Sequence, residues 1–258
     1  MELVFYKYQG AGNDFVMMDN RLGRQTLNKT QIVLICDRRF GVGADGLILL
    51  EDSENSNFKM RYYNSDGVLG SMCGNGARCL VAFAKRLKLF SKSCIFEAFD
   101  GLHKAFVLDN GIVSLEMSDV TEIVIHNKNY LLDTGSPHLV CFVDDVRGVS
   151  IKEIGAEIRY SKNFNKQGVN VNFAQLINGE LVIRTYERGV EDETLACGTG
   201  ATATAIAAFY SGLVTGNSIK LKALGGDLQV SFTKTANVFT NVKLFGDAEF
   251  VFKGSIHV

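Results

Sequence analysis

The fold of this chain is decided by a phrase that its sequence contains twice, Cys73-Gly74-Asn75-Gly76-Ala77 and Cys197-Gly198-Thr199-Gly200-Ala201. Each copy follows a strand-like segment, residues 58–63 in the first half and residues 181–186 in the second. Each copy also opens an apolar, alanine-rich run that is typical of a helix. The repetition predicts two equivalent strand-then-helix units, each with a cysteine at its helix start.

The segments around the two phrases repeat the same order of elements. We predict strands over residues 3–8, 15–19, 47–51, 58–63, 130–133, 139–143, 169–175 and 181–186. We predict helices over residues 29–38 (behind the cap Asn28), 75–87, 151–159 and 199–211. Residues 64–67 form a turn, and turn residues at 100–101, 109–111 and 178–179 join neighbouring strands. Arg61 precedes Cys73 by 12 residues and Arg184 precedes Cys197 by 13, so the two halves match at nearly the same register. This match predicts a duplicated unit with antiparallel-rich sheets. We place the boundary between the two copies near residues 118–120.

Length and composition limit the classes of protein and partner. The chain has 258 residues, of which 47% are hydrophobic and one is proline, and this is typical of a compact globular protein. A formal net charge of −1 gives no electrostatic case for binding nucleic acid or an anionic membrane. The first seven residues lack the pattern of a signal peptide, and no apolar run approaches the roughly 18 residues of a membrane span. We therefore expect a cytoplasmic protein with no nucleic-acid or membrane partner.

The six cysteines are expected to be reduced thiols, since the chain is long and shows no export signal. No pair has Cys-x-x-Cys spacing, so we expect neither a thioredoxin-like site nor a metal site. The apolar neighbours of Cys36, Cys94 and Cys141 indicate core residues. Cys79, more than one helical turn beyond Cys73, is also predicted to lie in the core.

A cysteine at a helix start has a defined chemistry. The helix N-terminus stabilises a thiolate, and its unpaired N–H groups can bind a carboxylate. The glycine after each cysteine lets a ligand approach the backbone closely. Two such starts facing one α-carbon would allow one thiolate to remove its proton while the opposite thiol supplies another. The sequence thus predicts inversion of an amino acid's α-carbon by paired thiols.

Motifs along the whole chain resemble those of the diaminopimelate epimerase family. Residues 71–79, which contain the first cysteine motif, resemble the first signature of that family. Residues 187–189 together with 193–201, which contain the second cysteine motif, resemble the second signature. Further segments fall in the family's order: Gly10-Ala11-Gly12-Asn13-Asp14-Phe15, Gly41-Val42-Gly43-Ala44-Asp45-Gly46, Asn64-Ser65-Asp66-Gly67, Pro137-His138 and Val169-Asn170-Val171.

This resemblance implies an α/β (α+β) fold of two pseudo-symmetric domains, each a barrel-like, mostly antiparallel sheet around a central helix. The N-terminal domain would span residues 1–118 and regain the last strand, about 247–258; the C-terminal domain would span 119–246. The implied activity is cofactor-independent epimerisation of LL-2,6-diaminopimelate to the meso form, in lysine and peptidoglycan biosynthesis. The resemblance also suggests a cytoplasmic homodimer whose partner is this small-molecule substrate.

The resemblance assigns roles position by position. Cys73 and Cys197 would be the acid/base pair, with His138 and Glu187 tuning the thiols. The substrate's ends would be held by Asn13, Asn64, Asn170, Glu187 and Arg188. Backbone donors around the α-carboxylate would come from Gly74, Asn75, Gly198 and Thr199.

Two positions depart from the family's pattern. Ser136 stands before Pro137-His138, where the family often has asparagine as a substrate contact, so that contact is not carried over. The acidic run Glu191-Asp192-Glu193 is one residue longer than the commonest form. Because negative charge would raise the pKa of a nearby thiol, we expect these side chains to point outward or to cap the helix.

Some patterns invite other interpretations. Gly41-x-Gly43-x-x-Gly46 matches a dinucleotide fingerprint, but a strand-like run follows it where a helix is required. Arg61 and Arg184 are interpreted as solvated strand residues. His103, His126 and His257 have no companions that suggest a metal site.

The rival functions come from two classes. Proline racemase-like proteins share paired cysteines, but there a Ser-Pro pair usually stands where this chain has Leu195-Ala196. Phenazine-biosynthesis-type isomerases lack the cysteine pair. A thiol-based redox sensor or metal-binding module would instead use the two cysteines as a disulfide or as ligands. We expect a disulfide between Cys73 and Cys197 to abolish activity.

Overall fold

The computed structural model describes residues 2–70, 72–164 and 166–258, which pack as two compact units. Unit 1 consists of Met1–Leu115 and Gly246–Val258, and unit 2 consists of Glu116–Phe245. The elements in chain order are β1 (Glu2–Gly10), β2 (Asn13–Asp19), α1 (Lys29–Cys36), β3 (Gly46–Glu51), β4 (Phe58–Asn64), α2 (Gly74–Arg86), β5 (Ser93–Ala98), β6 (Gly101–Val107), β7 (Val113–Glu116), β8 (Val124–His126), β9 (Asn129–Asp133), β10 (Pro137–Phe142), α3 (Ile151–Arg159), β11 (Asn170–Ile177), β12 (Glu180–Glu187), β13 (Asp192–Thr194), α4 (Gly198–Tyr210), β14 (Ser218–Ala223), β15 (Gly226–Thr235), β16 (Val238–Gly246) and β17 (Glu249–His257).

The sheet of unit 1 runs in the order β17, β1, β2, β3, β4, β5, β6, β7. Two of its pairings are parallel, β2 with β3 and β4 with β5, and the others are antiparallel. A parallel pairing requires a crossover connection, and the two crossovers contain α1 and α2. The two helices of unit 1 therefore lie where the chain returns across the sheet.

Unit 2 repeats this topology. Its sheet runs β8, β9, β10, β11, β12, β14, β15, with parallel pairings of β10 with β11 and of β12 with β14. The two crossovers contain α3 and α4. The predicted fold class is thus confirmed: two similar α+β units with mostly antiparallel sheets. The division of the chain into two domains at residues 118/119 stays a prediction.

One helix in each unit is central. Helix α2 packs against β1, β2, β3, β4, β6 and β17, and α4 packs against β9, β10, β11, β12, β14 and β15. Most residues of both helices are buried, and α4 has no charged residue along its length. A helix that is apolar on all sides has to be surrounded by protein. Each sheet therefore wraps around the helix that follows a cysteine.

Helix α1 confirms its predicted start and corrects its predicted end. Asn28 caps it through a capping box with Gln31, as the sequence pattern predicted. The helix ends at Cys36 rather than at Arg38, because Asp37 takes an extended backbone conformation (φ −64°, ψ 127°). The Asp37 carboxylate then accepts hydrogen bonds from the N–H groups of Arg39 and Phe40, which stabilises a turn in place of another helical turn.

Two residues of the acidic run before Cys197, Asp192 and Glu193, belong to strand β13, and Glu191 lies in the turn before it, so the run does not cap α4. Glu193 pairs in register with Tyr186 of β12, and in unit 1 the corresponding contact is a single bridge between Tyr63 and Leu69. The extra residue of unit 2 lies between these strands, where Glu191 has a positive φ of 58°. The turn absorbs one residue, and this explains the unequal spacing of Arg61 and Arg184 from their cysteines.

The side chains of the acidic run form ion pairs with cations, with the Asp192 side chain exposed and those of Glu191 and Glu193 partly buried. Glu193 forms a bidentate ion pair with Arg184, at 2.6 and 2.7 Å. Asp192 pairs with Lys152 at 2.6 Å and Glu191 with Arg159 at 3.3 Å. The interpretation of Arg184 as a solvated residue is wrong, because its Nη1 also donates to three backbone carbonyls, of Val146, Arg147 and Val149.

Candidate active site

The two repeated cysteines occupy the same position in their units. Cys73 is the N-cap of α2, with φ −116° and ψ 118°, and Cys197 is the N-cap of α4, with φ −119° and ψ 114°. Neither side chain forms a capping hydrogen bond with its own helix. The first N–H groups of a helix have no acceptor within it, so each start can bind an anion beside a thiol.

In unit 1 the thiol of Cys73 belongs to a small polar network. Oδ1 of Asn13 accepts from Nδ2 of Asn75 at 3.3 Å and from Sγ of Cys73 at 3.7 Å. Asn13 is the first residue of β2, because the β1–β2 hairpin turns on only Ala11 and Gly12, both with positive φ. The tight turn places the Asn13 amide beside the start of α2. Three predicted site residues are thereby brought together.

The glycine-rich segment 41–46 holds this asparagine. Oδ2 of Asp45 accepts from Nδ2 of Asn13 at 2.6 Å, so Asn13 presents its oxygen to Cys73. The segment turns closely over α1: a Cβ on Gly41 would clash with the carbonyl oxygen of Leu34. Strand β3 follows directly, so the dinucleotide fingerprint has no helix after it, as expected. The motif builds part of the candidate site.

Ion pairs between charged side chains next to Asn13 stabilise the same region. Asp14 forms ion pairs with Lys7 and Arg38, each at 2.7 Å, and Arg38 also reaches Asp45 at 2.8 Å. Burial raises the pKa of the Asp14 carboxyl, but the hydrogen bonds from Arg38 and Lys7 outweigh it and hold the pKa well below the usual range. Asp14 is thus a fixed negative charge within a mostly neutralised cluster.

The remaining unit 1 residues of the prediction lie on either side of this network. Gly74 is the first residue of α2. Asn64 ends β4, is exposed, and pairs in register with Gly46 next to Asp45. Ser71, which opens the first signature, lies outside the described residues.

In unit 2 the helix start is fixed by neighbouring hydroxyl groups. Sγ of Cys197 lies 3.4 Å from Oγ1 of Thr199. Oγ1 of Thr134 donates to the backbone oxygen of Thr199 at 2.9 Å and anchors the first turn of α4. Gly198 and Thr199 are the first two residues of that turn.

His138 is fully buried and is oriented by a residue that the sequence prediction missed. Nδ2 of Asn172 lies 3.1 Å from Nδ1 of His138, and Oδ1 of Asn172 accepts from Oγ1 of Thr185 at 2.9 Å. This arrangement makes Nδ1 the acceptor and places the ring proton on Nε2, which has no hydrogen-bond partner within the described part of the chain. Burial, with the charge of Arg188, lowers the pKa of His138 to about 3, so the imidazole is neutral.

Three residues around the start of β10 form a second cluster. Nδ2 of Asn170 donates to Oγ of Ser136 at 2.9 Å, and its Oδ1 accepts from the backbone N–H of Arg188 at 2.8 Å. Nη2 of Arg188 donates to the same Ser136 oxygen at 3.3 Å. Ser136, which the sequence interpretation set aside, thus lies between two predicted site residues.

Glu187 lies partly buried at the end of β12. Its Oε2 accepts from Oγ1 of Thr194 at 2.9 Å. Desolvation raises the pKa of Glu187, and the Thr194 hydrogen bond offsets part of this effect. The carboxyl group is therefore held by the strand that leads to Cys197.

The other cysteines are buried and free, as predicted. Burial raises the pKa of Cys36 to about 11 and that of Cys79, Cys94 and Cys141 to about 12. Among the described residues no group of three or more His, Cys, Asp or Glu side chains could hold a metal ion. No helix in residues 2–70, 72–164 and 166–258 is long and apolar enough to cross a membrane.

Comparison with known proteins identifies the family. The family model described as Diaminopimelate epimerase matches residues 5–124 and 130–251. A diaminopimelate epimerase of Flavobacterium psychrophilum is 54% identical over 97% of this chain and 99% of its own length. A diaminopimelate epimerase of Chlorobaculum tepidum is 41% identical over 96% and 98%.

Solved structures share the fold at low sequence identity. A Bacillus anthracis phenazine biosynthesis protein of the PhzF family aligns with a TM-score of 0.78 at 14% identity over 100% of both chains. A hydroxyproline epimerase from Agrobacterium vitis aligns with a TM-score of 0.68 at 14% identity, over 99% of this chain and 92% of that one. The chain belongs to the diaminopimelate epimerase family, whose members are isomerases of the racemase and epimerase class.

Proposed function

We propose that this protein epimerises LL-2,6-diaminopimelate to the meso form with two cysteines and no cofactor. The observation that carries the proposal is the pair of thiols at the N-caps of α2 and α4, with the same backbone conformation in both units. The family relationship, through relatives named for this activity, supplies the substrate. The proposal requires both thiols to reach one α-carbon in the working enzyme.

In the proposed reaction one cysteine thiolate removes the α-proton and becomes a thiol. The electron pair left on the α-carbon spreads into the adjacent carboxylate. The thiol of the other cysteine then donates its proton to the opposite face of that carbon and becomes the thiolate. The two cysteines have exchanged protonation states, and the configuration is inverted.

The helix starts have a second task in this reaction. The α-C–H group of an amino acid is a very weak acid. The charge that develops on the carboxylate therefore has to be stabilised by hydrogen-bond donors directed at it. We assign this task to first-turn N–H groups at Gly74 and Asn75 and at Gly198 and Thr199. Each set lies beside its cysteine, so proton transfer and charge stabilisation act on neighbouring atoms.

The polar side chains around the cysteines suit a substrate with charged groups at both ends. Arg188 can pair with the distal carboxylate, and Glu187 can accept from the distal ammonium group. Asn13 and Asn64 offer amide groups in unit 1. Asn170 uses both ends of its amide within unit 2, so it also positions Arg188 and Ser136.

His138 and Glu187 are proposed to tune the thiols. A neutral imidazole cannot stabilise a thiolate by charge, so His138 would act through its Nε2 proton as a hydrogen-bond donor. The raised pKa of Glu187 makes its charge easier to lose beside a developing anion. The family relationship further supports a cytoplasmic homodimer that serves lysine and peptidoglycan-precursor synthesis.

The proposal is tested by incubating the protein with LL-diaminopimelate in deuterated water without any added cofactor. Deuterium should replace the α-proton, seen as loss of its NMR signal, while the meso isomer accumulates. Proline serves as the control substrate and should keep its configuration. Meso product without deuterium, or no conversion at all, contradicts the proposed mechanism.

A further inference from the structure

Arg78 is a buried cation with which no residue in the described part of the chain forms an ion pair. It lies on α2, five residues after Cys73, and its side chain is 0% exposed. Nη2 donates to Oδ1 of Asn75 at 2.9 Å, and Nη1 and Nε reach the backbone oxygens of Gly74 and Asp247, each at 3.5 Å. No carboxylate in the described ranges pairs with it. Burying such a charge is costly, so a compensating anion is expected nearby.

Burial lowers the pKa of Arg78, and three ionisable groups act electrostatically against this effect: Cys79 most, then Cys73 and Asp247. The carboxylate of Asp247 lies on an exposed residue, where solvent screens it, and Arg78 contacts only its backbone oxygen. Cys79 is fully buried against Gly10, and burial raises its pKa to about 12, so it remains a thiol. Cys73 is partly exposed and has a smaller desolvation cost. It is the group best placed to carry the compensating charge.

A hydrogen-bonded path also connects Arg78 with this cysteine. Arg78 holds Oδ1 of Asn75, which turns Nδ2 of Asn75 toward Asn13, and Asn13 lies against Cys73. The 3.7 Å contact between Sγ of Cys73 and Oδ1 of Asn13 favours the protonated thiol. A thiol is a weak donor and this contact is long, whereas a buried guanidinium acts with a full charge in a region of low dielectric.

The equivalent position in unit 2 is neutral. Thr202, five residues after Cys197, is fully buried, and its Oγ1 donates to the backbone oxygen of Gly198 at 3.0 Å within α4. No residue of α4 carries a charge. Arg188 is the cation of the unit 2 cluster, and its guanidinium donates to Gln167 and Ser136. The two helix starts therefore have the same backbone conformation, but a buried cation follows on α2 where a neutral threonine follows on α4.

We propose that Arg78 is a positioning residue that stabilises the thiolate of Cys73, so that Cys73 is the base of the resting enzyme and Cys197 its thiol partner. This inference rests on the proposed two-thiol function. It adds an order to the reaction, because a substrate whose α-proton faces Cys73 meets an enzyme that is already in the reactive protonation state.

The test measures the acidity of each thiol without substrate. Wild-type protein is alkylated briefly with iodoacetamide over a pH series, and modification of Cys73 and of Cys197 is quantified by peptide mass spectrometry. We expect Cys73 to react with the lower apparent pKa. In R78M that pKa should rise by about one unit, which lowers the alkylation rate at neutral pH about 10-fold, while Cys197 is unchanged. R78K, which keeps the charge, should retain most of the wild-type behaviour.

R86M is the matched control, since Arg86 is exposed in the last turn of the same helix and should leave both thiols unaffected. Alkylation of Cys36, Cys79, Cys94 and Cys141, which are buried and lie outside the proposed acid/base pair, would report an unfolded variant, and then the wild-type comparison alone decides. The inference is overturned if Cys197 has a lower apparent pKa than Cys73 in the wild-type protein. It is also overturned if the apparent pKa of Cys73 is the same in folded R78M as in wild type. The deuterium experiment tests the activity separately, so a failure of this inference is distinguished from a failure of the proposed function.

Discussion

Alanine at Cys73 or at Cys197 should lower the rate of epimerisation by about 10³- to 10⁴-fold, the upper range for loss of a general acid or base. Each cysteine performs one of the two proton transfers, so removal of either thiol leaves one of these transfers without its acid or base. Rates are measured by conversion of LL-diaminopimelate to the meso form. The first turnover in deuterated water then shows which half-reaction each single variant retains.

The controls for this experiment are one buried cysteine in each unit. Cys94 and Cys141 are buried, with pKa values raised to about 12, and neither belongs to the polar clusters around the helix starts. C94A and C141A should keep kcat/KM within about 3-fold of wild type, since they remove packing without removing an acid or base. Retention of more than a tenth of wild-type activity in C73A or C197A would contradict the two-thiol mechanism.

Replacing Arg184 by methionine should lower the free energy of unfolding by about 2–4 kcal/mol. The change leaves the Glu193 carboxylate and three backbone carbonyl oxygens without their hydrogen-bond donor. The Arg184 and Glu193 side chains are 18% and 21% exposed, so solvent compensates them only partly. Urea unfolding measures the effect as a lower midpoint at an unchanged slope. E193Q and the double variant complete a mutant cycle that isolates the pair.

Arg61 provides the matched control in unit 1. It occupies the equivalent strand position but forms one ion pair, with Glu51 at 2.9 Å, and its side chain is 44% exposed. R61M should therefore cost only about 0.5 kcal/mol, as exposed ion pairs usually do. Equal costs for R61M and R184M would show that the contacts of Arg184 with backbone carbonyls add nothing to stability.

The sequence predicted the local elements well because local signals determine them. The cap Asn28, the turn glycines and the alanine-rich runs after the two cysteines act over a few residues, and every element for which a residue range was predicted lies within two residues of that range. The duplicated topology followed from the repeated phrase. The strands β8 and β13 were missed because three residues are too few to show an alternation of apolar and polar positions.

Interactions between distant segments could not be predicted in the same way. Nothing near Asp45 indicates that it orients Asn13, and nothing near Glu193 indicates Arg184 as its partner. Asn172 could have been found, since it lies two residues after Asn170 and so projects from the same face of a strand. The assignments of Cys73, Cys197 and the surrounding polar residues to catalysis and substrate binding stay predictions until the variants are measured.

The last strand has a consequence for biosynthesis. Strand β17 pairs with β1 along nearly its whole length, from Glu2 with His257 to Gln9 with Glu249. A nascent chain therefore exposes one edge of β1 while the ribosome completes unit 2, for about 6–26 seconds at about 5–20 residues per second. During that interval the first unit has an open sheet edge, which can pair with other chains. Protein ending before residue 249 should accumulate as aggregates, and supplying residues 246–258 as a peptide should reduce that loss.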